Sequence, residues 1–258
     1  ESILDIARAA SNRCSEALRV VEEFLKLHNA GSTVESIRYK MYEISAAIIG
    51  ALGSMSREQR KLCFVMTANS CVLPWQETMR QVISAGCDCI QVREKNMQTA
   101  ELIWHAAEAA EIASNYNAQV IVNDRVDVML ASGAAGVHLG EFDMSVQDAR
   151  KQCGPEYIIG ATAHTKEKMQ FAIESGADYV GVGAMFASQT KPDVKVAPLE
   201  LLKNALCYNH FAVGGITTEN VQQLYKAGCK GVAISSSIAQ STTPGKVVEQ
   251  LLQHEAQL

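Results

Sequence analysis

The chain has 258 residues, of which 48% are hydrophobic and 20% are charged, and it carries a net charge of −5 with a pI of about 5.7. An acidic balance argues against a general nucleic-acid binder, and we expect no membrane partner because no run of about 18 apolar residues occurs. The first residues, ESILDIARAASNRC, lack the pattern of a secretory signal peptide. The apolar content suffices for one large domain, with or without an appendage.

The first 52 residues contain helical patterns and no strand pattern. Apolar residues recur at helical intervals in LDIARAASNRCSEALRVVEEFLKL and again in TVESIRYKMYEISAAIIGAL. We predict that Gly31 stops the first helix and that Ser32 or Thr33 starts the second. The pattern therefore predicts a helical N-terminal extension over residues 1–57, a hairpin too short to be expected to fold alone.

From residue 61 onward, short apolar runs alternate with amphipathic stretches of helical length such as QTAELIWHAAEAAEIAS. Eight runs end in polar or glycine-rich turns: KLCFVMT, CDCIQVR, AQVIVN, AAGVHLG, EYIIGAT, ADYVGVG, HFAVGG and KGVAIS. Alternating strands and helices predict a parallel sheet, and eight repeats predict a closed (β/α)8 TIM barrel over residues 58–258. A doubly wound open sheet is the alternative, but eight strands close without an exposed edge.

The eight cysteines are scattered and lie mostly beside apolar residues or glycine. We predict that they are small, reduced core residues in a reducing cytosol. Cys87 and Cys89 are predicted to share one face of a strand, and their spacing does not match a zinc site.

In a TIM barrel the functional groups collect where the strands end, at the C-terminal face. After the seventh and eighth strands, Gly214, Gly215, Ser235 and Ser236 predict a phosphate site built from backbone N–H groups. The alternative is a pair of tight turns with serine as a helix N-cap.

Two carboxylates follow neighbouring strands. Asp124 ends the third strand, and Asp143 lies five residues past His138 in the fourth. Two carboxylates beside substrate phosphates suit Mg²⁺, which prefers hard oxygen ligands. The alternative is that Asp124 caps the next helix and Asp143 makes an Asx turn.

Arg93, Lys95 and Lys191 are the cations at the predicted strand ends. Together with Asn123 they could surround a diphosphate and neutralise the charge that develops as it departs. Each could instead be an ordinary surface charge. Arg125 and Asp127 are interpreted as surface or helix-start residues.

No nucleophile is paired with a base in the sequence. His138 either lines the pocket or ends a strand, and His164 is equally undecided. The other histidines are predicted to be peripheral: His28, His105, His210 and His254.

Five segments that occur in order resemble the thiamin phosphate synthase family: QVREK, VNDRVDVMLASGAAGVHLGEFD, IIGATAHT, GADYVGVGAMFASQTKP and VGGITTENVQQLYKAGCKGVAISSSI. The resemblance covers about residues 62 to 240, nearly the whole predicted barrel. The segment ASNRCSEALRVVEEF also resembles the N-terminal extension of some members.

That family joins hydroxymethylpyrimidine diphosphate to a thiazole phosphate and releases pyrophosphate. The resemblance implies a cytoplasmic, Mg²⁺-dependent transferase of thiamin biosynthesis that acts on two small molecules, and it leaves a homo-oligomer open. The implied residues are Gln91, Arg93, Lys95, Asn123 and Lys191 for the diphosphate, with the last four taken as catalytic; Asp124 and Asp143 for Mg²⁺; Thr162, Ser188 and Thr190 as hydroxyls near the substrates; and Gly214, Gly215, Ser235 and Ser236 for the thiazole phosphate.

The family route is dissociative: a pyrimidine-methyl cation forms and the thiazole nitrogen captures it, so no strong base is required. Glu141 stands where the family usually has glutamine, and its charge weakens diphosphate binding unless the side chain faces solvent. Two rival interpretations are a thiazole tautomerase and a noncatalytic sensor of a phosphorylated ligand.

Overall fold

A computed structural model describes residues 3–27, 31–55, 58–187 and 195–256. The chain divides into two compact units, one containing the two N-terminal helices and the other containing eight strands and the helices between them. Within the described ranges, no helix is both long enough and apolar enough to cross a membrane.

The N-terminal unit is a pair of long helices, α1 (Ile3–Lys26) and α2 (Gly31–Met55), that pack against each other. A buried carboxylate joins them, because Glu22 accepts a 2.7 Å hydrogen bond from Arg38 Nε and lies 2.9 Å from Lys26 Nζ. The prediction for Gly31 was wrong, since this residue opens α2. A glycine is tolerated there because first-turn N–H groups have no partner within the helix.

Eight parallel strands form a closed barrel in chain order, which confirms the predicted TIM fold. The strands are β1 Leu62–Met66, β2 Cys89–Val92, β3 Gln119–Asn123, β4 Gly136–Leu139, β5 Ile158–Ala163, β6 Tyr179–Gly183, β7 His210–Val213 and β8 Val232–Ile234. The first and last strands pair in register, with Cys63 opposite Ala233, so the cylinder has no open edge.

Helices follow the strands and cover the outside of the barrel. They are α3 Trp75–Ser84, α4 Thr99–Ser114, α5 Val126–Ser132, α6 Val146–Cys153, α7 Lys166–Glu174, α8 Leu199–Ala205, α9 Val221–Lys226, α10 Ser236–Ala239 and α11 Pro244–Ala256. A short 3₁₀ turn, Ala68–Ser70, follows β1. Each helix presents apolar side chains to the sheet, which buries the large outer core.

A second, smaller apolar cluster fills the inside of the barrel. Its members are Cys63, Cys89, Ile121, Ile158, Tyr179, Phe211 and Ala233. Successive strand residues point to opposite faces, so the same strands supply both cores.

All eight cysteines are reduced thiols, and five of them are buried as predicted. Two parts of the prediction were wrong. Cys14 and Cys207 are exposed. Cys87 lies in the outer core whereas Cys89 lies in the inner one, because β2 begins only at Cys89 and alternation does not extend back to residue 87.

Two histidines predicted to be peripheral are buried. His210 is fully buried at the start of β7, where Nε2 accepts a 3.1 Å hydrogen bond from the Lys230 N–H. His105 is buried on α4, with its ring centroid 4.3 Å from that of Trp75. Both lie on the inward face of their element, and desolvation lowers the pKa of each. His28 and the side chain of His254 lie outside the described part.

Candidate active site

The end of β2 is held in place by the segment that follows β1. The Arg93 N–H donates to the Met66 carbonyl at 2.8 Å, and Thr67 Oγ1 donates to the Arg93 carbonyl at 2.7 Å. The Glu94 carboxylate accepts the Ala68 N–H at 2.5 Å. The Arg93 backbone is therefore fixed on both sides, and its side chain continues the inward-facing row that starts at Cys89.

Glu94 is the structural member of the Arg-Glu-Lys run. Its side chain is only 6% exposed and lies 3.6 Å from His105 Nε2, whereas Arg93 is half-buried and Lys95 is exposed. A buried anchor between two cations fixes the strand end from which both extend. Glu94 was assigned no role from the sequence. An acidic residue between two basic ones nevertheless indicates that the three side chains do not all point to the same place.

The two predicted metal ligands lie together. Burial, followed by a hydrogen bond and the negative charge of Asp143, raises the pKa of Asp124 to about 6, while Lys95 and Arg93 act in the opposite direction. Asp143, Lys95 and Arg93 therefore all lie within electrostatic reach of Asp124. The structure therefore brings four of the predicted site residues to one part of the barrel mouth.

The backbone explains how Asp124 reaches this position. Its φ is +67°, a left-handed conformation that aspartate tolerates better than most residues. Its N–H donates to the His138 carbonyl at 2.8 Å, which ties the end of β3 to β4. Arg125, not Asp124, is the N-cap of α5, so the capping alternative for Asp124 was wrong.

Asp143 is exposed in the loop after β4, where its Oδ2 accepts the Gly140 N–H at 2.6 Å. An Asx turn would instead pair the carboxylate with the N–H two residues further on, so this bond is not the predicted alternative to metal binding. It orients the carboxylate and leaves Oδ1 unused by it. Among the described residues, no group of three or more His, Cys, Asp or Glu side chains could hold a metal. The carboxylate pair would thus need water or substrate oxygens to complete a coordination shell.

A cavity of about 200 Å³ opens beside Asp124. Its lining residues are Glu94, Lys95, Met97, Leu102, Asn123, Asp124 and Arg125. Asn123 is the last residue of β3 and pairs in register with His138. Arg125 is engaged by Asp127, with Nε 2.8 Å from Oδ1, as expected for residues at the start of a helix.

Below the mouth, predicted ligands join one hydrogen-bonded row inside the barrel. His138 Nε2 lies 3.0 Å from Thr162 Oγ1, and His138 Nδ1 lies 3.0 Å from the Tyr179 hydroxyl. Gln91 is 7% exposed and lies near the same hydroxyl. His138 therefore lines the interior. Tyr179 was missed because the pattern around it predicts only a strand.

The opposite side of the mouth is made of backbone. Gly214 and Gly215 follow β7 with φ of +97° and +64°. A Cβ on Gly214 would lie 2.6 Å from Ala184 Cβ, and one on Gly215 would lie 2.5 Å from the Phe186 carbonyl oxygen. Both glycines are required by the close passage of the segment after β6, whatever they bind.

The turn after β8 adjoins the Gly214–Gly215 turn. Ser235 is the N-cap of α10 without a side-chain capping bond, and Ser236 is the first residue of that helix. Ser237 Oγ donates to the Ile216 carbonyl at 3.0 Å and joins the two turns. Ser237 was missed, although it is the third serine of the ISSS run.

Three predicted residues, Ser188, Thr190 and Lys191, lie outside the described residues. Glu141, the residue that departs from the family pattern, is exposed and pairs with Lys168 at 2.5 Å. That pairing lowers the pKa of Glu141 and offsets its charge. His164 is exposed, with Nδ1 3.0 Å from the Gly183 carbonyl oxygen.

Comparison with known proteins identifies the family. A family model described as thiamine monophosphate synthase matches residues 62–238, which include every strand of the barrel. This chain belongs to the thiamine monophosphate synthase family. A second model, described as the ThiD2 family, matches residues 1–47 of this family member, within the N-terminal helices.

Relatives in the thiamine monophosphate synthase family match most of the chain. A thiamine-phosphate synthase of Synechocystis is 36% identical over 93% of this chain and 71% of its own length. One of Synechococcus is 34% identical over 96% of this chain and 73% of its own length. The solved structure of thiamine phosphate pyrophosphorylase from Pyrococcus furiosus is 31% identical, with a TM-score of 0.71 over 78% of this chain and 98% of that one.

Proposed function

We propose that this chain is a thiamin phosphate synthase, which couples hydroxymethylpyrimidine diphosphate to a thiazole phosphate and releases pyrophosphate. Membership of the family supports the reaction. The observation that carries the assignment to this site is the gathering of Arg93, Lys95, Asp124 and Asp143 at one part of the barrel mouth. A thiazole tautomerase has little use for a diphosphate cradle.

Breaking the carbon–oxygen bond of an alkyl diphosphate requires stabilisation of the departing anion. Arg93 would bind phosphate oxygens in a fork, and Lys95 would supply a point charge. Asn123 lies beside them as a neutral donor, lining the same cavity as Lys95. We assign Lys191 the same role from the sequence. Electrostatic stabilisation aimed at the leaving group is then the main contribution of these residues.

The carboxylate pair fits Mg²⁺. Burial and then the neighbouring Asp143 raise the pKa of Asp124, and a divalent cation would favour the charged form of both carboxylates. Both supply the hard oxygen ligands that Mg²⁺ prefers. When bound, the ion would neutralise charge on the diphosphate oxygens.

The second substrate is proposed to bind across the mouth. Backbone N–H groups near Gly214, Gly215, Ser235 and Ser236 would receive the thiazole phosphate, as they do in many barrels that bind phosphate after the last two strands. Thr162, with Ser188 and Thr190 assigned from the sequence, would present hydroxyls between the two substrates. Holding both reactants in line supplies much of the remaining rate enhancement.

No strong base is needed if a pyrimidine-methyl cation forms and the thiazole nitrogen captures it. His138 lines the interior below the mouth, but both of its ring nitrogens are hydrogen-bonded within the protein. Burial lowers its pKa to about 4, so it is neutral at physiological pH. These observations support a role for His138 in positioning other side chains rather than as a general base.

The proposal is tested by incubating the purified chain with both substrates and Mg²⁺ and measuring thiamin phosphate and pyrophosphate. We expect the two products in equal amounts, with formation abolished by a chelator and restored by Mg²⁺. Conversion of a thiazole isomer without coupling would favour the tautomerase. Tight binding of thiazole phosphate without pyrophosphate release, by protein shown to be folded, would favour the sensor.

We also propose that the reaction belongs to residues 58–258 and that residues 1–57 are not needed for the chemistry, because every candidate site residue has its place in the sequence between residues 58 and 258. Eight reduced thiols support a reducing compartment, and we infer a cytoplasmic enzyme. A variant that lacks residues 1–57 tests whether the barrel alone carries the reaction. Unchanged turnover by soluble protein supports it, whereas folded protein without turnover contradicts it.

A further inference from the structure

Tyr179 places a hydroxyl inside the barrel, below the mouth. The ring belongs to the inner apolar cluster, in edge contact with Phe211 at 5.3 Å and stacked near His138 at 5.5 Å between centroids. The residue is 7% exposed. A buried hydroxyl is costly unless its hydrogen bonds are made, and a phenylalanine would fill the same space without that cost.

Two strand glycines make room for this arrangement. A Cβ on Gly160 of β5 would overlap Cζ of Tyr179, and one on Gly181 of β6 would lie 3.0 Å from His138 Cε1. Glycine weakens a strand interior and commonly marks a close approach. Two such positions allow the Tyr179 hydroxyl to reach His138, which lines the interior below the mouth.

The hydrogen bonds have a definite direction. Two hydroxyls flank the His138 ring, and a phenol O–H is a stronger acid than the aliphatic O–H of threonine, so Tyr179 is the better donor to an imidazole nitrogen. The Tyr179 O–H is then available to donate to His138 Nδ1, 3.0 Å away.

The direction continues through His138 to Thr162. A neutral imidazole has one N–H and one acceptor nitrogen, so acceptance at Nδ1 places the hydrogen on Nε2. That N–H donates to Thr162 Oγ1 at 3.0 Å. The threonine hydroxyl has thereby received a hydrogen bond, and its own hydrogen points onward to another acceptor.

We propose that Tyr179 is a positioning residue which, through the chain Tyr179–His138–Thr162, fixes the His138 tautomer and makes Thr162 a hydrogen-bond donor toward a substrate atom. This inference rests on the proposed function, because it assigns Thr162 to a substrate.

The decisive variant is Tyr179→Phe, which removes one oxygen and retains the ring that packs against Phe211. We expect kcat/KM for the pyrimidine diphosphate to fall about tenfold, the worth of one buried hydrogen bond, while KM for the thiazole phosphate stays within about twofold. Thr162→Val should cause a similar loss, Thr162→Ser should retain activity, and the double variant should lose no more than either single one.

A spectroscopic measurement separates this inference from the proposed function. In protein labelled with ¹⁵N-histidine, whose six histidines are assigned with a His138→Gln variant, His138 should carry its hydrogen on Nε2 at neutral pH. In Tyr179→Phe it should become a mixture of both tautomers. If the wild-type protein forms no thiamin phosphate, the proposed function fails, but the tautomer still reports on the chain of bonds.

Tyr116→Phe is the matched control, because this exposed tyrosine also makes one hydroxyl contact, 3.5 Å from Ser84 Oγ. It should change neither the kinetics nor the His138 tautomer. Hydrogen on Nδ1 in the wild-type protein overturns the proposal without any variant. So does an unchanged tautomer in a folded Tyr179→Phe, or a loss of activity in that variant that is spread equally over both substrates.

Discussion

The two sides of the barrel mouth are built from different parts of the chain. Around β2, β3 and β4 the groups are side chains: Arg93 and Lys95 beside Asp124 and Asp143. Around β7 and β8 they are backbone groups in turns, where Gly215 has no room for a Cβ. The first side is therefore sensitive to changes of charge, and the second is sensitive to added volume.

This difference matches what the two proposed ligands require. A diphosphate that departs gains negative charge during the reaction, so full charges and a metal on that side act mainly in the transition state. A phosphate that remains attached to the thiazole needs only to be held, and backbone N–H groups hold it without moving.

Asp124→Asn should have the largest effect. It keeps a residue that tolerates the φ of +67° and removes one charge of the proposed metal site. We expect turnover at saturating substrates to fall about a hundred- to a thousandfold, with no loss of stability, because the repulsion from Asp143 is removed. Steady-state kinetics and thermal unfolding measure the two effects.

Asp127→Asn is the control for that variant, since Asp127 is an exposed carboxylate three residues away that pairs with Arg125. It should leave turnover unchanged. Equal losses of activity and stability in Asp124→Asn would show instead that the carboxylate serves the fold.

Gly215→Ala tests the backbone side. Its Cβ would meet the Phe186 carbonyl at 2.5 Å, at a φ of +64°, so we expect a loss of about 3 kcal/mol of stability from overpacking and strain together. KM for the thiazole phosphate should rise more than KM for the diphosphate. Chemical denaturation and kinetics with each substrate varied would measure this.

Gly133→Ala separates strain from crowding. Gly133 has a φ of +75°, and nothing lies within 4 Å of the position that a Cβ would take, so only the left-handed strain of about 1 kcal/mol should appear. If the two variants lose equal stability, close packing after β6 is not what requires Gly215.

Glu94→Ala should loosen the end of β2, from which Arg93 and Lys95 extend. The Ala68 N–H loses its acceptor, and we expect a loss of about 2 kcal/mol of stability together with weaker pyrophosphate binding. Glu94→Gln keeps an acceptor oxygen and should recover most of the stability. Glu108→Ala, an exposed acid on α4, is the control and should change neither quantity in calorimetry.

Lys168→Gln should have the smallest effect. It exposes the charge of Glu141, so KM for the diphosphate should rise about two- to threefold at low salt and recover at high salt, as expected for an exposed pair. In the Lys168→Gln background, Glu141→Gln should restore KM. A KM that does not respond to salt would show that Glu141 lies outside the field of the site.

The fold and the polar residues at the strand ends could be predicted because both depend on local patterns. Alternating strands and helices are visible as apolar runs, and a run that ends in QVREK or VND shows where function collects. The same patterns hide contacts between distant segments. His210 and His105 were predicted to be peripheral from their neighbours in the chain. In the structure, each is buried and contacts a residue distant in sequence, Lys230 and Trp75 respectively.

Tyr179 and Glu94 were missed for the same physical reason. A tyrosine at the start of a strand and an acid between two cations are ordinary residues until their partners are known. The partners of Tyr179 come from β2, β4 and β5, which converge only when the barrel closes. Gly160, a glycine inside a predicted strand, indicates that another group approaches the backbone closely there. The sequence does not show that this group is the Tyr179 ring.

A crystal structure with Mg²⁺, pyrophosphate and thiamin phosphate tests the two-sided mouth most directly. We predict Mg²⁺ on the carboxylate oxygens of Asp124 and Asp143 at about 2.1 Å, pyrophosphate against Arg93 and Lys95, and the thiamin phosphate group on backbone N–H groups after β7 and β8. Pyrophosphate bound away from Arg93, or a metal that leaves both aspartates without a ligand role, would contradict the account.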